Sequence, residues 1–180
     1  MGQVLDEINE VMTTWMEDQP IFFVASAPSD GGHVNVSPKG HDSFRVLGPL
    51  SVAYLDLTGS GAETIAHVRE NGRLTVMFCA FQGPPRVLRL FGTGLSHQVG
   101  TARFDELVSR FPDLPGTRAI VELKIERIQS SCGYAVPFME LVEERPTLQQ
   151  WARRKGPDGL AEYWSEKNRT SIDGLPALEV

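Results

Sequence analysis

Three short stretches of this 180-residue chain concentrate groups that could hold an anion. Asn35-Val36-Ser37-Pro38-Lys39 offers an amide, a hydroxyl and an ammonium at the end of one predicted strand. Gly59-Ser60-Gly61 lies between a predicted strand and a predicted helix, where small side chains let a ligand approach the backbone. Arg86-Val87-Leu88-Arg89-Leu90 places two guanidiniums in or beside an apolar strand. A helix N-terminus presents unpaired N–H groups and the positive end of a dipole, so the second stretch can receive a phosphate without a cationic side chain. Ser60 and Glu63 fit an S-x-x-E capping box, which predicts Ser60 as the N-cap. Glu63 also puts a negative charge in that turn, which works against a phosphate. Simpler readings compete: an ordinary capped helix, a solvated turn lysine at Lys39, and an arginine on the outer face of a hairpin. Arg86 and Arg89 are three apart and face opposite sides of a regular strand. At most one shares a site with Lys39 unless a bulge intervenes.

Other chemistry is absent or weakly signalled. There is no G-x-S-x-G elbow, P-loop or G-x-G-x-x-G fingerprint, and no nucleophile–base pair can be picked out. The two cysteines, Cys79 and Cys132, form no C-x-x-C pair, and Cys79 within an apolar run reads as a buried reduced thiol. His33, His41, His67 and His97 show no metal-ligand spacing, so no metal site, zinc or iron, is expected. His67 sits between Ala66 and Val68, where packing is the simpler reading. Gln129-Ser130-Ser131-Cys132-Gly133 is a polar segment at a strand end, and the role of Cys132 stays open.

The elements that must position these groups follow from periodicity. Residues 4–17 carry Val4, Leu5, Ile8, Val11, Met12, Trp15 and Met16 as one helical stripe. Ile21 to Ala27 is an apolar strand, and Pro28 to Gly32 a turn. His33 to Ser37 alternates, with valines on one face and His33, Asn35 and Ser37 on the other. Phe44–Leu47 and Leu50–Leu57 flank the Gly48-Pro49 turn. A helix at roughly 61–71 ends at Asn71-Gly72. Leu74–Phe81 and Arg86–Gly92 form another hairpin. Thr101–Phe111 reads as a helix, Arg118–Gln129 as a long strand, and two charged amphipathic helices begin at Leu148 and near Leu160, before an extended tail from Ile172. The expected organisation is one domain: an N-terminal helix (1–18), a barrel with inserted helices (20–130) and C-terminal helices (146–170). Six or seven strands joined by hairpins point to a closed antiparallel barrel, mainly β with helices (α+β), rather than a parallel sheet.

Composition sets the outer limits. With 41% hydrophobic and 22% charged residues the chain reads as globular. A net charge of −6 argues against non-specific binding to nucleic acid or an anionic membrane. No apolar run has the length of a membrane span, and the first residues lack the basic start and apolar core of a signal peptide. A cytoplasmic protein is the expectation.

Taken together, the pattern resembles the pyridoxamine 5′-phosphate oxidase-like family of FMN-binding split β-barrels. The resemblance runs from about Ile21 to Leu95 in the order of its features: an apolar strand, a short strand ending at Lys39, an aromatic-containing strand, a glycine–serine turn opening a helix, and a strand pair with arginine. Narrower strings are similar to a bacterial branch without assigned substrate. They include Gly59 to His67, Arg69 to Arg73, Met77 to Phe81, Gly83-Pro84-Pro85-Arg86, Ser131 to Pro137 and Ser171 to Pro176. The resemblance implies a homodimer with FMN in two equivalent interface clefts. Lys39 would lie near the flavin ring or phosphate, with Asn35 and Ser37 on the same strand. Tyr54 would take the aromatic position of the next strand, and Asp56 on that strand is counted in the site. Ser60, the backbone of Gly61, and Thr64 would meet the phosphate, and Arg86 or Arg89 would contribute from the next hairpin.

Departures from the true oxidases narrow this. Gly61 and Ala62 stand where those enzymes place basic residues, Arg86-Val87 lacks the expected glutamine, and the C-terminal substrate arginine motif is not evident. Vitamin B6 synthesis is therefore not expected. The function implied is an FMN-dependent oxidoreductase transferring hydride on a small molecule, with Lys39 favouring the reduced flavin. Three alternatives remain: a deazaflavin-dependent reductase, a flavin carrier or sensor without turnover, and a haem or tetrapyrrole binder.

Overall fold

Hairpin chemistry accounts for most of the sheet. The structure, a computed structural model, describes residues 2–180. Among them, the order is β1 (Gln3–Leu5), α1 (Glu10–Glu17), β2 (Phe22–Ser26), β3 (Asn35–Lys39), β4 (Phe44–Gly48), β5 (Ser51–Leu57), α2 (Glu63–Glu70), β6 (Arg73–Cys79), β7 (Val87–Gln98), α3 (Ala102–Val108), β8 (Thr117–Ser131) and α4 (Thr147–Lys167). The strands form one antiparallel sheet in the order β3-β2-β6-β7-β8-β5-β4. Each sequence-adjacent pair β2–β3, β4–β5, β6–β7 is a hairpin neighbour, as turn residues at 28–32, 48–50 and 82–85 require.

Side chains roll this sheet into a barrel. Phe22 on β2, Phe78 on β6 and Phe44 on β4 come from opposite ends of the strand order, yet their rings meet at 5.4 Å (Phe22–Phe44), 4.9 Å (Phe44–Phe78) and 5.6 Å (Phe22–Phe78). Those separations are ordinary for the tilted, edge-to-face and stacked pairs they form. The interior also buries Val24, Val52, Leu90, Val121 and Ile128, while Met12 and Met16 of α1 close one end. Edge strands β3 and β4 share no hydrogen-bond ladder among the described residues. The barrel is therefore split there rather than closed.

Three outer features complete the frame. Helix α3 packs Phe104 and Leu107 against Leu55 and Ile120. Helix α2 packs Ile65 and Ala66 against Ala177 and Leu178 of the C-terminal tail. Helix α4 breaks at Gly156, whose φ of 67° and ψ of 175° are open to glycine and costly to other residues. Pro157 then starts a second segment at a first-turn position that needs no N–H. Two helical segments were expected here from the amphipathic starts.

Two expectations require correction. The helical stripe over 4–17 is not one helix: Gln3–Leu5 is a strand paired with Ile128–Ser130 of β8. The fifteen residues of β8 outlast the seven of β5, and β1 fills the edge left beyond it. Asn9 sets the true helix start, its Oδ1 accepting from the Met12 N–H at 2.9 Å. The second correction concerns α2. Its N-cap is Ala62, with no side-chain cap, so the Ser60–Glu63 capping box does not form. Glu63 Oε1 instead accepts from the Ile172 N–H at 3.0 Å, because the C-terminal tail occupies the space beside that helix start.

Candidate functional site

Alternation on β3 puts Asn35, Ser37 and Lys39 on one face, half-buried, with Val36 and Pro38 outward. That face meets β5, the start of β8 and the turn before α2. Together they enclose a polar cavity of about 310 Å³, lined by Asn35, Ser37, Lys39, Asp56, Ser60, Gly61 and Thr64, with Leu57, Gly59, Glu63 and Arg118. Seven of the ten residues expected at the site thus share one cavity.

Its walls are a hydrogen-bonded lattice. Asn35 Nδ2 donates to Thr64 Oγ1 at 3.0 Å, and Ser37 Oγ donates to Asn35 Oδ1 at 3.0 Å. Asp56 accepts from Lys39 Nζ at 2.9 Å and from Arg118 Nε at 2.7 Å, so one buried carboxylate ties β3, β5 and β8 together. Burial alone would raise the Asp56 pKa, but the Arg118 guanidinium and the Lys39 ammonium outweigh it and bring it down to about 2. Arg118 Nη2 donates to Gly61 O at 2.9 Å, which fixes the glycine turn. Arg118 Nη1 is buried and has no partner among the described residues. A guanidinium N–H buried without an acceptor is costly, and an anionic or carbonyl oxygen in the cavity would relieve it.

A larger and mainly apolar cavity of about 880 Å³ adjoins the first. Ile21, Phe23, Leu55 and Leu57 form its floor, and Met139 and Leu141 overhang it from the segment after β8. Lys39, Leu57 and Gly59 line both cavities. Lys39, at 17% side-chain exposure, is thus a held positive charge where a polar space meets an apolar one.

The remaining three expected residues line neither cavity, although the Lys39 ammonium sits over the Tyr54 ring at 5.6 Å. Tyr54 is buried in the barrel, against the Phe22 ring at 5.6 Å, and lines neither cavity. Burial and the nearby Asp56 carboxylate push its phenol well above the ordinary value. Arg86 lies over the Trp15 ring at 5.2 Å, and Arg89 Nη1 donates to Ser131 Oγ at 3.2 Å. Neither arginine lines the two cavities of its own chain.

Several residues were not anticipated. Arg118 opens a long apolar strand, and a lone arginine preceding Ala-Ile-Val was the available signal. Trp164 Nε1 donates to Thr58 Oγ1 at 2.8 Å, and Asn168 Nδ2 to Gly59 O at 3.1 Å. Helix α4 therefore buttresses the glycine turn from outside, a contact no local pattern encodes.

The family model for pyridoxamine 5′-phosphate oxidase matches residues 8–132, which contains both cavity floors but not α4. The pyridoxamine 5′-phosphate oxidase family protein ustO of Aspergillus flavus is 44% identical over 190 residues, covering 96% of this chain and 76% of that protein. HupZ of Group A Streptococcus shares the fold, with a TM-score of 0.53 and 21% identity over 69% of this chain and 99% of that one. A candidate pyridoxamine 5′-phosphate oxidase of Lactobacillus delbrueckii gives a TM-score of 0.52 and 21% identity, covering 69% of this chain and 97% of its own.

Proposed function

The chain belongs to the pyridoxamine 5′-phosphate oxidase family, and from that premise we propose a homodimeric FMN-binding flavoprotein that carries out redox chemistry on a small molecule. The observation that carries this reading is the junction at Lys39. A polar cavity with an unpartnered buried guanidinium N–H opens beside an apolar one, and their volumes lie within the roughly 300–1,000 Å³ of small-molecule sites. The donor set fits a phosphate-bearing flat heterocycle. Arg118, Ser60, Thr64 and the backbone at Gly61 would hold the phosphate, and the apolar floor would take the ring.

FMN, when bound, would supply the two-electron chemistry. The protein's part is orientation and electrostatics. Lys39 provides a positive charge fixed by Asp56, which favours negative charge on whatever lies against it. Leu55, Leu57 and Phe23 exclude water from the apolar side. A dimer is supported by apolar side chains left on the surface, among them Val34 and Val36 on and beside edge strand β3. Among the described residues no helix is long and apolar enough to cross a membrane.

Titrating FMN into flavin-free protein, followed by quenching of flavin fluorescence, tests the assignment. Wild type should saturate at one FMN per chain. Lys39→Ala should bind about tenfold or more weakly, one charge-assisted contact being worth about 1.5–3 kcal/mol. Equal affinity and equal flavin potential in the two proteins would remove Lys39 from the site.

A further inference from the structure

A second cluster sits behind the polar cavity, and its unused atoms are all suited to a cation. Glu63 and His67 are four apart on α2 and share a face. The C-terminal tail brings Asp173 against them, so that one ligating atom from each of the three lies within 4.8 Å of the others. His67 is fully buried, and its Nε2 has no partner among the described residues. Glu63 Oε2 is likewise buried and without a partner, while its Oε1 accepts from Ile172 N–H. The cluster thus holds an imidazole nitrogen and a carboxylate oxygen that are each buried and each unsatisfied.

We propose that Glu63, His67 and Asp173 form a binding site for a first-row divalent transition-metal ion. One imidazole and two carboxylates are a donor set that suits Zn²⁺, Mn²⁺ or Fe²⁺. Ligation through Nε2 leaves the ring proton on Nδ1, where Ser26 Oγ lies 3.0 Å away to receive it. Such a second contact is the usual means of orienting a metal-bound imidazole. Ser26 is held in turn by Asn35 Nδ2 at 3.3 Å, and Asp173 by the His33 N–H at 2.8 Å and the His33 ring at 2.7 Å. Bond lengths of about 2.0–2.2 Å would draw the three donors together, a closure the exposed Asp173 side can supply. The expectation of no metal rested on cysteine and histidine spacing, whereas here the third ligand comes from the far end of the chain.

The site has a consequence for its neighbour. Glu63 also lines the polar cavity, where its charge opposes an anion. A cation on Oε2 offsets that charge and pins the tail that buttresses the glycine turn. Metal and phosphate-bearing ligand would then each raise the other's affinity.

The test uses the full chain, stripped with a chelator and dialysed, in flavin-free and flavin-loaded form. Zn²⁺ is titrated by calorimetry, Co²⁺ by its visible absorption bands, and bound metal is counted by elemental analysis. The proposal expects one ion per chain in both forms, and a higher melting temperature with metal. Asp173→Ala on the tail and His67→Gln in the core should each weaken binding at least tenfold, since loss of an outer contact alone costs about 10–100-fold. Asp173→Ala leaves the core unchanged, so it stays informative if the buried His67 variant does not fold. Absence of saturable uptake, or uptake undiminished in Asp173→Ala, would overturn the site. Because the flavin-free protein is measured too, failure here is distinct from failure to bind FMN.

Discussion

Two segments follow β8, and they treat the barrel in opposite ways. Residues 133–146 cross the mouth of the apolar cavity with few ties: Met139 N–H donates to Phe81 O at 3.0 Å, and His41 meets Glu144 at 3.2 Å. Tyr134, Phe138 and Val142 on this segment are 82%, 83% and 94% exposed. Residues 168–180 instead bury Asn168, Ser171, Ala177 and Leu178. They are held by Asn168 on the glycine turn, by Glu63 on Ile172, and by Arg69 on the Ala177 carbonyl. The tail is therefore part of the polar cavity's own structure. The crossing segment carries apolar surface that the rest of this chain does not cover.

This contrast can be broken at several points. The largest effect belongs to the ion lattice beneath the tail. Asp56→Ala leaves Lys39 and buried Arg118 without their shared partner and should cost about 3–5 kcal/mol in urea unfolding. Hydrogen exchange should then speed up across 168–178 together with the glycine turn, and hardly change across 133–146. Exchange rising equally in both segments would erase the distinction.

Next comes tail packing. Leu178→Ala empties a buried position against α2 and should cost about 2–3 kcal/mol by the same measurement. The matching change on the other segment, Phe138→Ala, should stay within about 0.5 kcal/mol for the flavin-free monomer. A large loss at Phe138 would mean that the crossing segment already contributes to the folded unit.

Acid offers a third handle. The folded pKa of Asp56 is depressed to about 2, so its contribution is fully present above the unfolded value near 3.8 and is lost as pH falls between the two. That window should remove about 2 kcal/mol of stability in wild type, from a shift of nearly two units at 1.36 kcal/mol each. The same loss should be absent in Asp56→Asn, which has no proton to gain.

Much of this molecule was legible in its sequence, for local reasons. Strands β2 to β8 show as apolar or alternating runs bounded by turn residues, although β7 continues to Gln98, past the Gly92 expected as its end. The polar face of β3 was legible too, since Asn35, Ser37 and Lys39 can share a side only in a strand. What was not legible depends on distant partners. Val4 and Leu5 fit the helical stripe and became a strand because β8 is long enough to need an edge partner. Ser60 and Glu63 have the spacing of a capping box, but the tail claims Glu63 from 109 residues away. Arg118 and Asp56 are 62 residues apart, and nothing near either one announces the other. The metal cluster was hidden for the same reason, its third member lying on that tail.

Everything proposed for the paired cavities turns on whether they hold FMN. The direct measurement is the absorption spectrum of the purified full chain, followed by mass spectrometry of whatever heat denaturation releases. A yellow protein that releases FMN is expected, or a colourless one that takes up added FMN at one per chain. A protein that neither carries FMN nor binds it, yet takes up deazaflavin or haem, would contradict the assignment of these cavities while leaving the split barrel as described.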